Sequence, residues 1–97
     1  MITKADIEEA LKGKEEFVKI DKLRRFLISA DNLEIKKYIL LSLASINESK
    51  GMYNDAIKNL DAAIDLSLTF KEKKELAMKE TELWIKARQF EMADKGL

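Results

Sequence analysis

The 97-residue chain contains no cysteine, no histidine and no proline, and only three glycines. Without cysteine there is no disulfide and no thiol chemistry, so a reducing compartment is allowed. Without histidine the commonest general base and metal ligand is missing. Without proline, long helices can run uninterrupted. The 18 basic and 18 acidic residues cancel. No long-range field then favours nucleic acid or an anionic membrane. The longest uncharged run, Tyr38 to Asn47, is far too short to span a bilayer. Met1-Ile2-Thr3-Lys4 lacks the apolar core of a signal peptide, and a cytoplasmic location is expected.

What is present is helical periodicity around one stretch, Tyr38 to Leu66. Leu40, Leu43, Ala44 and Asn47 recur at i, i+3, i+4 and i+7, and Ile39 and Ile46 widen that face. A helix apolar on most sides is buried against neighbours on both. Ser49-Lys50-Gly51 ends it, with glycine suited to the left-handed residue after a helix. Tyr53, Ala56, Ile57, Leu60, Ala63 and Ile64 then mark one face of a second helix, to about Leu68. The connection is so short that the two must be antiparallel neighbours. Charge is sparse here. Residues 38–70 carry two basic and four acidic side chains, against nine and eight in 1–37 and seven and six in 71–97. The middle is therefore the expected core.

This hairpin resembles a tetratricopeptide repeat. That family spaces Trp-x2-Leu-Gly-x2-Tyr before a turn and Ala-x3-Phe-x2-Ala-x4-Pro after it. The corresponding places hold Leu40, Leu43, Ala44, Asn47, Ala56, Leu60, Ala63 and Leu68. Leu43, Ala56 and Ala63 are the family's own residues; Asn47 and Leu68 depart, and Met52 gives the second helix no capping side chain. The same periodicity also suits an ordinary antiparallel bundle.

The flanks read as imperfect copies. Thr3 with Asp6 caps a first helix bearing Ile7, Ala10 and Leu11, and Lys12-Gly13 ends it. A second, from about Glu15 to Ser29, is expected to turn Phe17, Ile20, Leu23, Leu27 and Ile28 inward, with Phe26 flanking. Asp31 with Glu34 reads as the next cap. Thr69-Phe70-Lys71-Glu72 is a capping box opening a helix expected to reach Ala87 or Arg88. A short sixth helix would follow. Phe90, Ala93 and Trp84 stand 37 residues after Tyr53, Ala56 and Asn47, about one helical turn beyond the family's period of about 34. The expected fold is therefore all-α: one domain of about six helices, in antiparallel hairpins stacked as a short right-handed solenoid. Residues 1–30 form a divergent first hairpin, 33–68 the best repeat and 70–97 an incomplete last one.

Candidate chemistry is thin. Glu8 with Glu9 and Glu15 with Glu16 point in different directions on solvated faces, and no phosphate loop, metal spacing or nucleophile motif is present. A non-enzymatic protein without cofactor or metal is expected. Lys19, Lys22, Arg24, Arg25, Lys36 and Lys37 form a basic cluster, but Glu15, Glu16, Asp21 and Glu34 neutralise much of it. Nucleic acid is not expected.

The resemblance implies a concave groove lined by the first helix of each pair, holding a peptide or helix. Its register places Tyr38, Leu41, Ser42, Ser45, Glu48 and Ser49 there, with Glu75, Met78, Lys79, Glu82 and Lys86 from the following unit. Some family members grip a carboxylate with lysine, arginine and asparagine, but Leu41 and Ser45 occupy two of those places. An apolar or helical protein ligand is favoured, although the same side chains could be core against a neighbouring helix. Trp84 and Met92 read as core. Phe90, Ala93 and Leu97 form an apolar end that either associates with a partner, such as a second copy in a two-fold dimer, or continues into a longer protein.

Overall fold

A computed structural model describes residues 2–95, with side chains as far as Glu91. Among the described residues there are five helices and no strand: α1 (Lys4–Leu11), α2 (Glu16–Ser29), α3 (Leu33–Ser49), α4 (Tyr53–Asp65) and α5 (Phe70–Lys95). None is long and apolar enough to cross a membrane.

Local chemistry sets most of the boundaries. Thr3 accepts a hydrogen bond from the Asp6 amide at 3.2 Å, and Asp6 accepts one from the Thr3 amide at 3.0 Å, completing the expected capping box. The cap of α3 is Asn32, one residue after Asp31; its Oδ1 accepts from the Glu34 amide at 2.8 Å and the Ile35 amide at 3.3 Å. At the far end of α3 the amides of Met52 and Gly51 donate to the carbonyls of Asn47 and Glu48, at 2.8 and 3.0 Å. This paired closure needs a left-handed residue, and Gly51 supplies it at φ 74°. Met52 gives α4 no side-chain cap. The Glu72 amide donates to Thr69 Oγ1 at 3.1 Å, so half of the Thr69 box is present. The other half is diverted, because the Glu72 carboxylate accepts from Lys37 Nζ at 2.7 Å instead.

Two adjoining cores share α3. Ile7, Ile20, Leu23, Ala30, Ile39 and Leu43 close the first, between α1, α2 and α3. Ala44, Ala56, Ile57, Leu60 and Leu83 close the second, between α3, α4 and α5. The most extensive packing is of α3 on α4 and of α4 on α5. The charge-poor middle is thus the most buried part, as its composition implied. Asn47, which stands where the family has an aromatic, is buried and accepts from Asn59 Nδ2 at 2.8 Å. An amide pair there joins α3 to α4 without leaving a buried polar group unsatisfied.

Several expectations are corrected. α5 runs unbroken from Phe70 to Lys95, so no separate sixth helix begins near Phe90. The 37-residue register demanded a break there, but Arg88 and Gln89 are good helix formers and no glycine or proline intervenes. Trp84 is 56% exposed, and its neighbour Leu83 fills the core. The packing stripe of α5 is Leu76, Glu80, Leu83 and Ala87, one residue out of the expected phase. On α2, Phe17 and Ile28 face solvent while Phe26 packs on the first core. Phe17 instead carries Lys50 Nζ 4.2 Å above its ring.

Two substitutions test this packing. Ala56 is fully buried, so Ala56→Leu should overpack the second core and lower stability by about 1–3 kcal/mol in a thermal or urea melt. A Cβ at Gly51 would meet nothing within 4 Å. Gly51→Ala should therefore cost only the left-handed penalty, about 1–2 kcal/mol, with no change in helix content by circular dichroism.

Candidate functional site

Side-chain contacts join α1 to α3, and α3 to α5, along one side of the molecule. The Tyr38 hydroxyl donates to Glu8 at 3.1 Å, and Lys4 Nζ lies 5.4 Å from the Tyr38 ring centre. Lys37 Nζ reaches Glu72 near the start of α5. Glu48, near the end of α3, meets Lys79 at 3.0 Å and Lys86 at 2.7 Å. Early residues of α3 thus pair with early residues of α5, and late with later, so the two helices run parallel. α4 lies antiparallel to both and closes the floor between them.

The resulting groove holds a pocket of about 200 Å³, lined by Leu41, Ala44, Ser45, Glu48, Leu60, Leu76, Lys79 and Leu83. Leu60 comes from α4 and forms its base. This volume is below the ~300–1,000 Å³ typical of small-molecule sites. It suits one apolar side chain of a larger ligand. Ser45 is exposed at the mouth.

The charges around it are organised by Glu48. Its carboxylate is held below its ordinary value of 4.5, chiefly by the hydrogen bond from Lys86 and then by that from Lys79. The Lys86 ammonium is raised by the same bond. Lys79 also approaches Glu82 at 4.0 Å. The groove is therefore internally neutralised: Lys79 and Lys86, both expected in the groove, are already engaged by Glu48. A second clamp lies at the α5 start, where Lys37 sits between Glu72 and Glu34 at 2.7 and 3.0 Å. These bonds raise Lys37, Glu72 contributing most, while Lys37 lowers Glu72.

Of the expected groove residues, the structure brings Leu41, Ser45, Glu48 and Lys79 to the pocket and ties Lys86 and Glu82 to its rim. Ser42 lies beside them on α3. Tyr38 is turned toward α1 and packs on the first core, where burial raises its phenol ahead of the Glu8 contact. Ser49 donates to Glu16 at 3.2 Å, on the α2 side. Glu75 is exposed outside the pocket, and Met78, 59% exposed, lies nearly opposite Leu83 on the α5 wheel. Tyr38, Leu41 and Met78 therefore do not make one patch. Leu60 and Leu76 lie outside the stripe that the repeat register assigns to the groove, because its floor comes from core positions of α4 and α5.

At the apolar end, Phe90 meets Tyr53 edge-on with ring centres 6.1 Å apart, yet stays 61% exposed. Leu97 and the Ala93 side chain lie outside the described residues. Among the described residues no three potential metal-binding side chains converge. Scans against protein-family models, curated proteins and solved structures return no match for this chain.

The ion pairs set the pH dependence. Glu48 and Glu72 are lowered, so their stabilisation is complete above about pH 4.5 and is lost as pH falls through their folded values. Glu80 opposes this, since burial and then Asp61 raise it. Glu48→Gln should flatten the acid limb of a stability–pH profile below pH 4.5, measured by urea denaturation. An acid limb as steep as in the unaltered chain would show that Glu48 does not contribute to it.

Proposed function

We propose that this chain is a non-catalytic protein-binding module, an adaptor or scaffold element, that holds a peptide or helix in the α3–α5 groove. The observation that carries the reading is the parallel pairing of α3 and α5 over an apolar floor supplied by α4. That arrangement leaves a side-chain-sized pocket on a surface otherwise closed by ion pairs. A ligand here is recognised by shape and apolar contact, with its backbone or polar groups near Ser45 and Ser42. Strong acidity in the ligand is not required, because Glu48 and Glu82 already balance Lys79 and Lys86.

We read the arrangement as a short tetratricopeptide-like solenoid. The bonds between α3 and α5 span 35, 31 and 38 residues, which bracket the family's usual ~34. The odd-numbered helices would then line the concave side and α2 and α4 the convex side. The extents of 49 × 34 × 17 Å support this, since the thin dimension accommodates two helix layers at ~8–10 Å spacing.

Self-association through the C-terminal end is the second reading, and the exposure of Phe90 favours it. Phe90→Lys should then convert a dimer to a monomer in sedimentation equilibrium without loss of helix. A monomer at high concentration for the unaltered chain would eliminate it.

The groove reading has its own test. Random peptides displayed on phage and selected on the unaltered chain should share an apolar residue. Ser45→Tyr fills the pocket mouth from an exposed position and should weaken the selected peptides at least about tenfold, or ~1.4 kcal/mol. Equal binding to both proteins would place the ligand elsewhere.

A further inference from the structure

We propose that Glu48, Lys79 and Lys86 form a strap that closes the α3–α5 groove and swings open to admit its ligand, an inference that rests on the groove being the binding site. α3 and α5 each pack on α4, and neither packs extensively on the other. Side-chain bridges span the gap instead. Lys79 of α5 lines the pocket and reaches both Glu48 oxygens, Oε1 at 3.0 Å and Oε2 at 3.3 Å. Lys86, two turns further along α5, meets the same Oε2 at 2.7 Å. Two lysines thus converge on one carboxylate beside the apolar pocket. Lys79 stands between Leu76 and Leu83 in the chain, on the solvent side of both, so a ligand side chain entering the pocket meets its stem.

The bridges at the two ends of the groove are unequal. At the start of α5 the Lys37 side chain is only 10% exposed and sits between Glu34 and Glu72. At the other end the side chains of Lys79 and Lys86 are 42% and 46% exposed. Ion pairs as exposed as these hold weakly, because water and salt compete for both partners. Parting a cation as buried as Lys37 from its carboxylates is far more costly. Opening therefore begins at Glu48 and pivots about the Lys37 clamp.

Glu82 gives the released lysines somewhere to go. It lies three residues after Lys79 and four before Lys86, on the same side of α5, and already stands 4.0 Å from Lys79 Nζ. Both spacings bring side chains together on a helix, and an acid four residues before a lysine is the favourable order. The closed and open states therefore both keep the lysines beside a carboxylate. They differ in which one holds them, Glu48 across the groove or Glu82 on α5 itself.

The chain has no cysteine, so two introduced ones can carry spin labels at chosen positions. Ser49→Cys and Arg88→Cys place them at exposed sites near the strap, one on α3 and one on α5. The distance distribution between the labels should be narrow in dilute buffer. Glu48→Gln should lengthen and broaden it, and so should concentrated sodium chloride. Without labels, Glu48→Gln should strengthen binding of the phage-selected peptides about threefold, and Glu82→Gln should weaken it by a similar factor, the size expected of exposed ion pairs. The proposal is overturned if Glu48→Gln leaves the distribution unchanged, or if Glu82→Gln does not weaken the peptides. It is also overturned if Glu48→Gln opens the groove yet weakens the peptides, since Glu48 would then belong to the ligand site. If no peptide is selected, the groove reading fails separately; a broadened distribution then still supports the strap, and an unchanged one overturns it.

Discussion

The structure depends on α3 being buried from two sides at once. Ile39 and Leu43 close a core with α1 and α2, and Ala44 closes another with α4 and α5. In a chain this size neither core is large, and neither hairpin covers its own apolar surface. Sharing one helix between them lets each cover the other's open side. Small residues make this possible. Ala44 and Ala56 occupy the second core with little volume, so the backbones of α3 and α4 approach closely and Leu60 and Leu83 fill what remains.

Polar contacts do a different task. They align the helices that the cores alone leave free to slide. Lys37 ties α3 to the first turn of α5, and Glu48 ties it to the later turns, fixing the two parallel and in register. Lys37 is the more buried cation, and its two carboxylates offset the cost of withdrawing it from water. The exposed pairs contribute less to stability, since solvent and salt screen them. They also determine which charges remain available on the surface. On the groove side lysines and glutamates satisfy one another.

Much of the architecture was legible from residue spacing. The all-helical class, the α3–α4 hairpin and its Gly51 turn followed from local rules: periodicity of 3.6, a left-handed stop and capping oxygens. The caps at Thr3 and Thr69 were equally local. The phase of the flanking helices was not, because it depends on which neighbour each helix meets. Phe17 and Ile28 are as apolar as Phe26, and only the direction of α1 and α3 decided which of them is covered. Trp84 and Leu83 pose the same problem on α5. Two adjacent apolar residues point about 100° apart, and a one-residue error in register exchanges core for surface.

The candidate groove shows the same division. The sequence by itself determined that Leu41, Ser45 and Glu48 share a stripe on α3, since helix geometry requires it. It also determined that no cysteine or histidine chemistry is open to the chain. Only the tertiary structure decided that Lys79 and Lys86 converge on Glu48, that Leu60 floors the pocket, and that Tyr38 turns away to Glu8. The polar contacts among these join residues 30 to 38 positions apart, set by how the helices pack, and no local rule carries that distance.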